Sequence, residues 1–212
     1  MKSYQRKIID FYDRNVSQFI DHTKPLQNKV WIKKFSALIS KKGTVLDLGC
    51  AFGRDSRFFE DLGLKTYGVD LSPQMILAAK RFCKKGTFKV MDMMDLKFKD
   101  QHFDGIWCNA ALLHLKKTDV PKALKEMKRI LKNNGVLYLG LKQGASQGVT
   151  SDKRYKNDKR FFSYFQKSEI NGLLRKNGFK ILESRVVHLK NRYTKKWIFV
   201  IAKSNGRAAK IR

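Results

Sequence analysis

An apolar run that meets a carboxylate and then breaks at two glycines is the feature that most restricts how this chain can fold. The sequence of residues 45–55 is VLDLGCAFGRD. It predicts a buried strand, a tight turn and the start of a helix. Such a turn directs backbone N–H groups and a helix N-terminus toward a ligand at the carboxyl end of the strand, and Gly49 and Gly53 let the backbone approach closely. The alternative interpretation is an ordinary strand-to-helix turn that binds nothing.

The spacing of the glycines separates this turn from two familiar phosphate-binding loops. A dinucleotide fingerprint has the form G-x-G-x-x-G, and a P-loop ends in Gly-Lys-Ser/Thr. Here three residues separate Gly49 from Gly53, and an arginine follows the second glycine. The segment therefore matches neither pattern.

A second strand that ends in an acid lies at a distance along the chain that suits a nucleoside ligand. Residues 65–70 form a predicted strand ending at Asp70, 23 residues after Asp47. A carboxylate about 20 residues along such a βαβ unit accepts hydrogen bonds from both ribose hydroxyls. Ser72 is the predicted N-cap of the following helix, with Pro73 at its first position.

Two further predicted strands end in polar residues. The third strand runs directly into Asp92, and the fourth, residues 103–109, ends at Asn109. The carboxyl ends of parallel strands meet at one edge of the sheet, where ligands bind. Because Asp92 follows its strand directly and Asp95 comes a helical turn later, we prefer Asp92 to Asp95 as a candidate for ligand contact and expect Asp95 to be solvated. The alternative is a simple loop acid or a helix cap.

Two motifs at this separation resemble those of a known family. Residues 45–55 and 67–76 resemble the first and second motifs of class I S-adenosylmethionine (SAM)-dependent methyltransferases. Residues 103–115 are similar to small bacterial members of the methyltransferase type 11 or tellurite-resistance-like kind. The resemblance implies SAM as the cofactor and the following cofactor-binding residues: Tyr12, Asp47, Gly49, Cys50, Ala51, Gly53, Arg54, Asp70, Leu71, Asp92, Met93 and Asn109.

The resemblance also implies what several of these residues do. In the family, an acid ends the first strand, as Asp47 does here, and the glycine turn that follows wraps the methionine part of SAM. Asp70 would hold the ribose, Asp92 the adenine amino group, and the Met93 backbone the edge of the ring. The chain departs from the family at Ala51, where a glycine is usual. A methyl group there intrudes little if the local backbone keeps φ negative, so we expect the site to be retained.

The candidate catalytic residue is His114. It is either a general base beside the methyl acceptor, because its unperturbed pKa of about 6.5 suits proton removal near neutrality, or a structural residue. The chain lacks the Asn/Asp-Pro-Pro-Tyr/Phe and Pro-Cys sequences of methyltransferases that act on nucleobases. Cys108 is therefore interpreted as a buried apolar side chain.

Residues 1–42 are predicted to form two amphipathic helices, because apolar residues recur at helical spacing on both sides of Pro25. These helices are similar to the N-terminal lid of small bacterial methyltransferases. Tyr12 either approaches the cofactor from this lid or lies on the core face of its helix.

The alternation of elements predicts an α/β fold: a Rossmann-like three-layer sandwich with a mostly parallel seven-stranded sheet and an antiparallel edge hairpin. The SAM-binding domain covers residues 43–202. Within it, residues 144–165 form an insertion whose glycine- and charge-rich part we expect to be mobile. The aromatic residues that close the insertion either line an acceptor pocket or pin it to the core. Residues 203–212 form a basic tail that is predicted to be disordered.

The expected compartment is the cytoplasm. The three cysteines have neither C-x-x-C nor Cys/His metal spacing, and the N-terminus lacks the apolar stretch of a signal peptide. No apolar run approaches the ~18 residues of a membrane span. We therefore expect no disulfide, no bound metal and no membrane partner, while the oligomeric state does not follow from the sequence.

The charge balance leaves the methyl acceptor open. The formal net charge is +28, and residues 151–212 carry 18 basic and 4 acidic residues. This charge suits an anionic macromolecule such as RNA, or it is lysine-rich composition spread over solvated faces. Because the chain shows no RNA-binding motif, we predict a small-molecule acceptor. The alternatives are a tRNA or rRNA methyltransferase and a non-catalytic module that binds SAM or nucleic acid.

Overall fold

A computed structural model describes residues 2–26, 28–188 and 196–206 of the chain. The helices are α1 (Ser3–Arg14), α2 (Val16–Thr23), α3 (Lys29–Ser36), α4 (Arg54–Asp61), α5 (Pro73–Phe82), α6 (Val120–Ile130) and α7 (Lys167–Lys176). The strands are β1 (Thr44–Leu48), β2 (Lys65–Asp70), β3 (Thr87–Val90), β4 (Phe103–Asn109), β5 (Leu131–Lys142), β6 (Gln147–Asp152), β7 (Asp158–Ser163), β8 (Phe179–Val187) and β9 (Trp197–Ser204).

Seven of these strands form one sheet in the order β3-β2-β1-β4-β5-β9-β8. The pairs from β3 to β5 are parallel, whereas β9 runs antiparallel to both β5 and β8. The predicted fold class, a mostly parallel seven-stranded Rossmann-like sheet with an antiparallel edge hairpin, is confirmed. The strand order reverses between β1 and β4, which is where ligands bind in open sheets of this kind.

The strand register brings the predicted site residues to one edge of the sheet. Asp47 in β1 pairs with Gly68 in β2 and with Trp107 in β4. The carboxyl ends of these three strands therefore lie side by side. Below them, the buried rings of Trp107 and Tyr138 stack at a centroid distance of 3.6 Å, which fixes β4 against β5.

The N-terminal region contains three helices, where the sequence predicted two. The predicted first helix is divided at Asn15, whose φ of −112° and ψ of 23° interrupt the helical backbone. The Asn15 side chain donates a hydrogen bond to the Phe11 carbonyl at 2.8 Å and so replaces part of the helical pattern. Asparagine competes with helical hydrogen bonding in this way because its side chain is short and polar.

The prediction of a mobile insertion was wrong. Strands β6 and β7 form a separate antiparallel sheet within residues 144–165. The Tyr155 ring, at the tip of this hairpin, is buried against Phe11 of α1 at a centroid distance of 5.0 Å. Asp158 accepts hydrogen bonds from Arg14 and Asn15. The order of this polar segment thus comes from contacts with distant residues, which local composition does not reveal.

The other boundary differences are small. Helix α6 ends at Ile130 and continues directly into β5, where Asn134 has a φ of +62° beside a register shift. Residues 203 and 204 of the predicted basic tail belong to β9, and residues 207–212 lie outside the described residues. Among the helices described, none combines the length and the apolar character needed to cross a bilayer.

Candidate functional site

A cavity of about 560 Å³ opens at the carboxyl ends of β1, β2 and β4. Helix α1, helix α2 and the β6–β7 hairpin contribute the rest of its lining. This volume lies in the range of small-molecule and cofactor sites, which is about 300 to 1,000 Å³. The cavity is therefore large enough for a bound ligand of substantial size.

The glycine turn forms the floor of the cavity. Gly49 has a φ of +76°, and a Cβ atom at this position would lie 2.2 Å from the Ala111 Cβ. The Gly49 and Cys50 N–H groups both donate to the Val69 carbonyl, which ties the turn to β2. Gly53 has a φ of +82° and starts α4, but it does not line the cavity. Gly49 thus shapes the site directly, while Gly53 shapes the turn that supports it.

The backbone at Ala51 does not meet the condition under which a methyl group intrudes little. Its φ is +47°, in the left-handed region that favours glycine. The Ala51 N–H donates to the Asp70 carboxylate at 2.9 Å, which holds the turn in this conformation. The alanine therefore carries the strain that the usual glycine of the family avoids.

We expect Ala51→Gly to stabilise the protein by about 1 kcal/mol. An alanine in the left-handed region costs about 1 to 2 kcal/mol, and the greater freedom of glycine in the unfolded chain offsets part of the gain. Chemical denaturation of both proteins measures the difference. An equal or lower free energy of unfolding for Ala51→Gly would show that the turn does not hold this conformation in solution.

Three carboxylates line the cavity among the described residues: Asp47, Asp55 and Asp70. Asp47 is buried and accepts a hydrogen bond from the Ser56 hydroxyl at 2.6 Å. Asp55, also buried, accepts from the Trp107 indole at 2.9 Å and from Asn109 at 3.1 Å. The sequence analysis missed Asp55 as a site residue, although its place in the first turn of the helix after the glycines was the available signal.

The electrostatics of this group favour a positively charged ligand. Burial, reinforced by the nearby Asp55, raises the pKa of Asp47 to about 8. Burial opposes ionisation of Asp55 as well, but the Arg54 guanidinium, 2.7 Å away, lowers the pKa of Asp55. A bound cation stabilises the ionised form of neighbouring carboxylates that share a single arginine. The residues present therefore fit SAM, which carries a sulfonium and an ammonium group.

Asp70 lies at the cavity wall, as predicted. Its carboxylate accepts from the Ala51 N–H at 2.9 Å and from the Ser72 N–H at 3.0 Å. Burial raises the pKa of Asp70. These two bonds fix the carboxylate between the glycine turn and the start of α5, where the Ser72 hydroxyl accepts from the Met75 N–H and caps the helix as predicted. Asp70 is thus positioned to accept further hydrogen bonds from a ligand.

The structure does not bring Asp92 into the cavity. Its carboxylate accepts from Gln5 and from the Met94 N–H, both at 2.8 Å, so it fastens α1 to the loop after β3. Met93, the next residue, does line the cavity, and the exposed Asp95 pairs with Lys97. Asp92 therefore does not line the cavity, and its contact with the adenine amino group stays a prediction. Of the remaining predicted residues, those that line the cavity are Tyr12, Cys50, Arg54, Leu71, Asn109 and His114.

Tyr12, His114 and Arg160 form a connected group on the opposite side of the cavity. His114 Nδ1 lies 2.9 Å from the Phe161 carbonyl, which only accepts hydrogen bonds, so Nδ1 carries the proton. His114 Nε2 then accepts from the Tyr12 hydroxyl at 2.8 Å. Arg160 donates to the same hydroxyl oxygen at 3.3 Å. Tyr12 therefore approaches the cavity and is not only a core residue.

The surroundings of His114 shift its pKa and so affect the argument that it is the general base. Burial, together with the charge of Arg160, lowers the pKa of His114 to about 3. The histidine is neutral at physiological pH, as a base must be, but it has far less affinity for a proton than an unperturbed imidazole. Its role as the general base stays a prediction, and the argument from a pKa near neutrality no longer supports it.

The acidic strand end, the glycine turn and the second acid lie together at the carboxyl ends of parallel strands, which is where open sheets of this kind bind their ligands. Residues 46–139 match the family model described as "Methyltransferase domain". This part of the chain is a methyltransferase domain, as the motifs predicted.

Relatives and solved structures agree with this assignment. The chain is 33% identical over 143 residues to the uncharacterized protein MJ0638 of Methanocaldococcus jannaschii, which covers 62% of this chain and 59% of that protein. It is 36% identical over 98 residues to 2-methyl-6-phytyl-1,4-hydroquinone methyltransferase of Synechocystis, covering 44% of this chain and 30% of that protein.

The fold is similar to that of a SAM-dependent methyltransferase from Methanosarcina mazei, with a TM-score of 0.74 and 21% identity over 85% of this chain and 98% of that one. The chain spans only 30% to 59% of the length of the first curated relatives it matches.

Proposed function

We propose that this protein transfers the methyl group of SAM to a small-molecule acceptor inside the described cavity. The observation that carries the proposal is the enclosure of one cavity by two different walls. The glycine turn and three carboxylates form one wall, and aromatic and basic side chains from α1, β5, the β6–β7 hairpin and β9 form the other. Both reaction partners would therefore share one compartment.

The chain's own residues would act mainly by alignment. When bound, SAM supplies a methyl group activated by its sulfonium. Asp70 would accept hydrogen bonds from the ribose hydroxyls, and Asp47 and Asp55 would supply negative charge for the ammonium group. Holding two reactants in line inside a closed site accounts for a large part of the rate in such transfers.

The Tyr12–His114 pair supplies a route for a proton from the acceptor. Tyr12 lines the cavity, and its hydroxyl proton is already directed at His114 Nε2. An acceptor O–H or N–H that donates to the Tyr12 oxygen would pass its proton along this chain as the methyl group arrives. Burial raises the pKa of Tyr12, so the hydroxyl stays neutral before the transfer.

A small molecule is favoured because the acceptor side is covered. The junction of α1 and α2 and helix α2 itself join the β6–β7 hairpin over it through the Asn15–Asp158 and Gln18–Arg154 hydrogen bonds. The curated relative from Synechocystis acts, by its name, on a small hydroquinone. The proposal extends that substrate class, but not that substrate, to this chain.

We expect SAM binding to release a proton from Asp47 near neutral pH. Asp47 without ligand has a pKa raised to about 8, so it is largely protonated at pH 7, and a cationic ligand favours the ionised form. SAM affinity should therefore rise with pH up to about 8 and then level off. Calorimetry at pH 7 in two buffers of different ionisation enthalpy measures the released proton.

Asp47→Asn is the matched variant for this measurement. It keeps the acceptor for the Ser56 hydroxyl but cannot ionise, so it should release less proton and bind SAM more weakly. The same substitution should stabilise the unliganded protein. An acid whose pKa is raised on folding makes the folded protein less stable as pH rises above about 4, and the asparagine removes this effect. Equal proton release by both proteins would contradict the role of Asp47.

Transfer itself is tested with SAM that carries a labelled methyl group. The purified protein is incubated with a metabolite extract or with bulk tRNA and rRNA fragments, and mass spectrometry locates the label. We expect labelled small molecules and only weak RNA binding that disappears at high salt, since phosphate contacts lose affinity steeply with salt. Label at one nucleotide position would establish the RNA alternative, and tight SAM binding without any transfer would favour a non-catalytic module.

A further inference from the structure

We propose that the acceptor side of the cavity recognises a small organic anion, a carboxylate attached to a flat apolar body. This inference rests on the proposed function, in which the acceptor and SAM occupy one cavity. It adds a substrate class and an anion subsite made by Lys142 and Arg160.

The carboxylates and most of the cations that line the cavity come from different elements of the fold, which define its acidic end and its basic end. The three lining carboxylates come from β1, β2 and the first turn of α4, together with Arg54. The other lining cations come from the end of β5 and from the β6–β7 hairpin: Lys142, Arg154 and Arg160. Among the described residues, no carboxylate lines the cavity at this second end. A ligand pair with a cation at one end and an anion at the other would match this arrangement.

Tyr12 lies between the two ends. The charge of Arg160 lowers the pKa of its hydroxyl and the charge of Asp70 raises it, although burial has the largest effect. Its hydroxyl is also within hydrogen-bond distance of both His114 and Arg160. The basic end therefore begins where the proposed route for the acceptor proton begins, and an anion held there would lie on the acceptor side.

The basic end retains positive charge after its internal pairing. Asp152 accepts from Arg160 at 2.5 Å and from Arg154 at 2.7 Å, so one carboxylate serves two guanidinium groups. The Arg160 side chain is buried, and within the described part of the chain its Nε has no hydrogen-bond partner. Lys142 adds a further charge. A buried cation of this kind is stabilised by a bound anion.

The walls beside these cations are flat and apolar. The Phe162 ring lines the cavity, and its centre lies 4.0 Å from Lys142 Nζ and 5.2 Å from the Arg160 guanidinium carbon. Trp197 and Phe199 line the same cavity. Aromatic surfaces of this kind pack against planar ligands. The subsite therefore fits a carboxylate that projects from an unsaturated or aromatic body.

Binding of matched probes tests this subsite. The protein is first saturated with S-adenosylhomocysteine (SAH), the demethylated product of SAM, and its affinity for SAH is recorded. It is then titrated with 1-naphthoate and with the neutral, similarly shaped 1-naphthamide. We expect the carboxylate to bind at least about tenfold more tightly, since a hydrogen bond to a charged group contributes that much. The preference should persist at 0.5 M salt, because an enclosed charge is little screened.

Two substitutions distinguish the subsite from the general positive charge of the protein. Lys142→Gln should reduce naphthoate binding about tenfold and leave naphthamide and SAH binding unchanged. Lys85→Gln removes the same charge from an exposed position outside the cavity and should change neither. Lys142→Arg should retain the preference, and its unchanged SAH affinity serves as the folding control.

The outcomes separate this inference from the proposed function. If the unsubstituted protein does not bind SAH, the proposed function itself is contradicted. Three outcomes, each with normal SAH binding, overturn the anion subsite alone: the two probes bind with equal affinity, neither probe binds, or Lys142→Gln leaves the preference for naphthoate intact. A metabolite extract divided by anion exchange before the transfer reaction adds a second readout: label confined to the neutral and basic fraction, or to RNA, overturns it as well.

Discussion

Asp70→Ala is expected to weaken SAM binding about ten- to a hundredfold. The carboxylate lies at the cavity wall with two of its hydrogen-bonding positions fixed by the Ala51 and Ser72 N–H groups. Its remaining lone pairs are available to the ribose hydroxyls, and losing a charge-assisted hydrogen bond costs about 1.5 to 3 kcal/mol. Calorimetric titration with SAM measures the change, and we expect a parent affinity in the micromolar range or better.

Two other acids serve as controls for this substitution. Asp95→Ala removes an exposed carboxylate that pairs with Lys97 and should leave SAM affinity unchanged. Asp92→Ala removes a carboxylate that fastens α1 to the loop after β3 but does not line the cavity, so its effect should be smaller than that of Asp70→Ala. Unaltered affinity in Asp70→Ala would reject the ribose assignment. A larger loss in Asp92→Ala would support the adenine role that the sequence predicted.

The predictable parts of the fold are those that short segments of the sequence determine. Strands β2 and β4 have the predicted boundaries, and Ser72 caps α5 as expected. An apolar run that ends at an acid, or a serine followed by proline, determines structure through its nearest neighbours. The cofactor wall was predictable for the same reason, since the glycine turn and Asp70 lie on a βαβ unit that is continuous in the chain.

The acceptor wall was not predictable, because distant residues build it. Arg160 is buried only because α1, more than 140 residues earlier, places Phe11 and Tyr12 around it. An arginine in a charged segment ordinarily indicates a solvated position, and this argument produced the wrong prediction of a mobile insertion. The positive φ at Ala51 escaped prediction for a related reason: the Asp70 carboxylate holds the turn from the neighbouring strand.

The largest loss is expected for Gly49→Ala, which should destabilise the protein by about 2 to 5 kcal/mol and reduce SAM binding by more than about a hundredfold. The left-handed backbone costs an alanine about 1 to 2 kcal/mol, and overpacking typically adds about 1 to 3 kcal/mol. The new Cβ would lie 2.2 Å from the Ala111 Cβ, whereas ordinary contact begins at 3.4 Å. The turn must move by about 1 Å, and a displacement of that size is enough to disrupt an aligned site. Chemical denaturation and SAM titration give the two values.

Gly63→Ala separates the two causes of this loss. Gly63 has almost the same φ, +75°, but a Cβ there would meet nothing within 4 Å. Gly63→Ala should therefore lower the free energy of unfolding only by the cost of the left-handed backbone, about 1 to 2 kcal/mol, and leave SAM affinity unchanged. Combining Gly49→Ala with Ala111→Gly removes the colliding methyl group and should recover the packing part of the loss while the backbone part remains. If Gly49→Ala proved no more costly than Gly63→Ala, the close approach of the glycine turn to the loop after β4 would be disproved, and with it the geometry on which the cofactor wall depends.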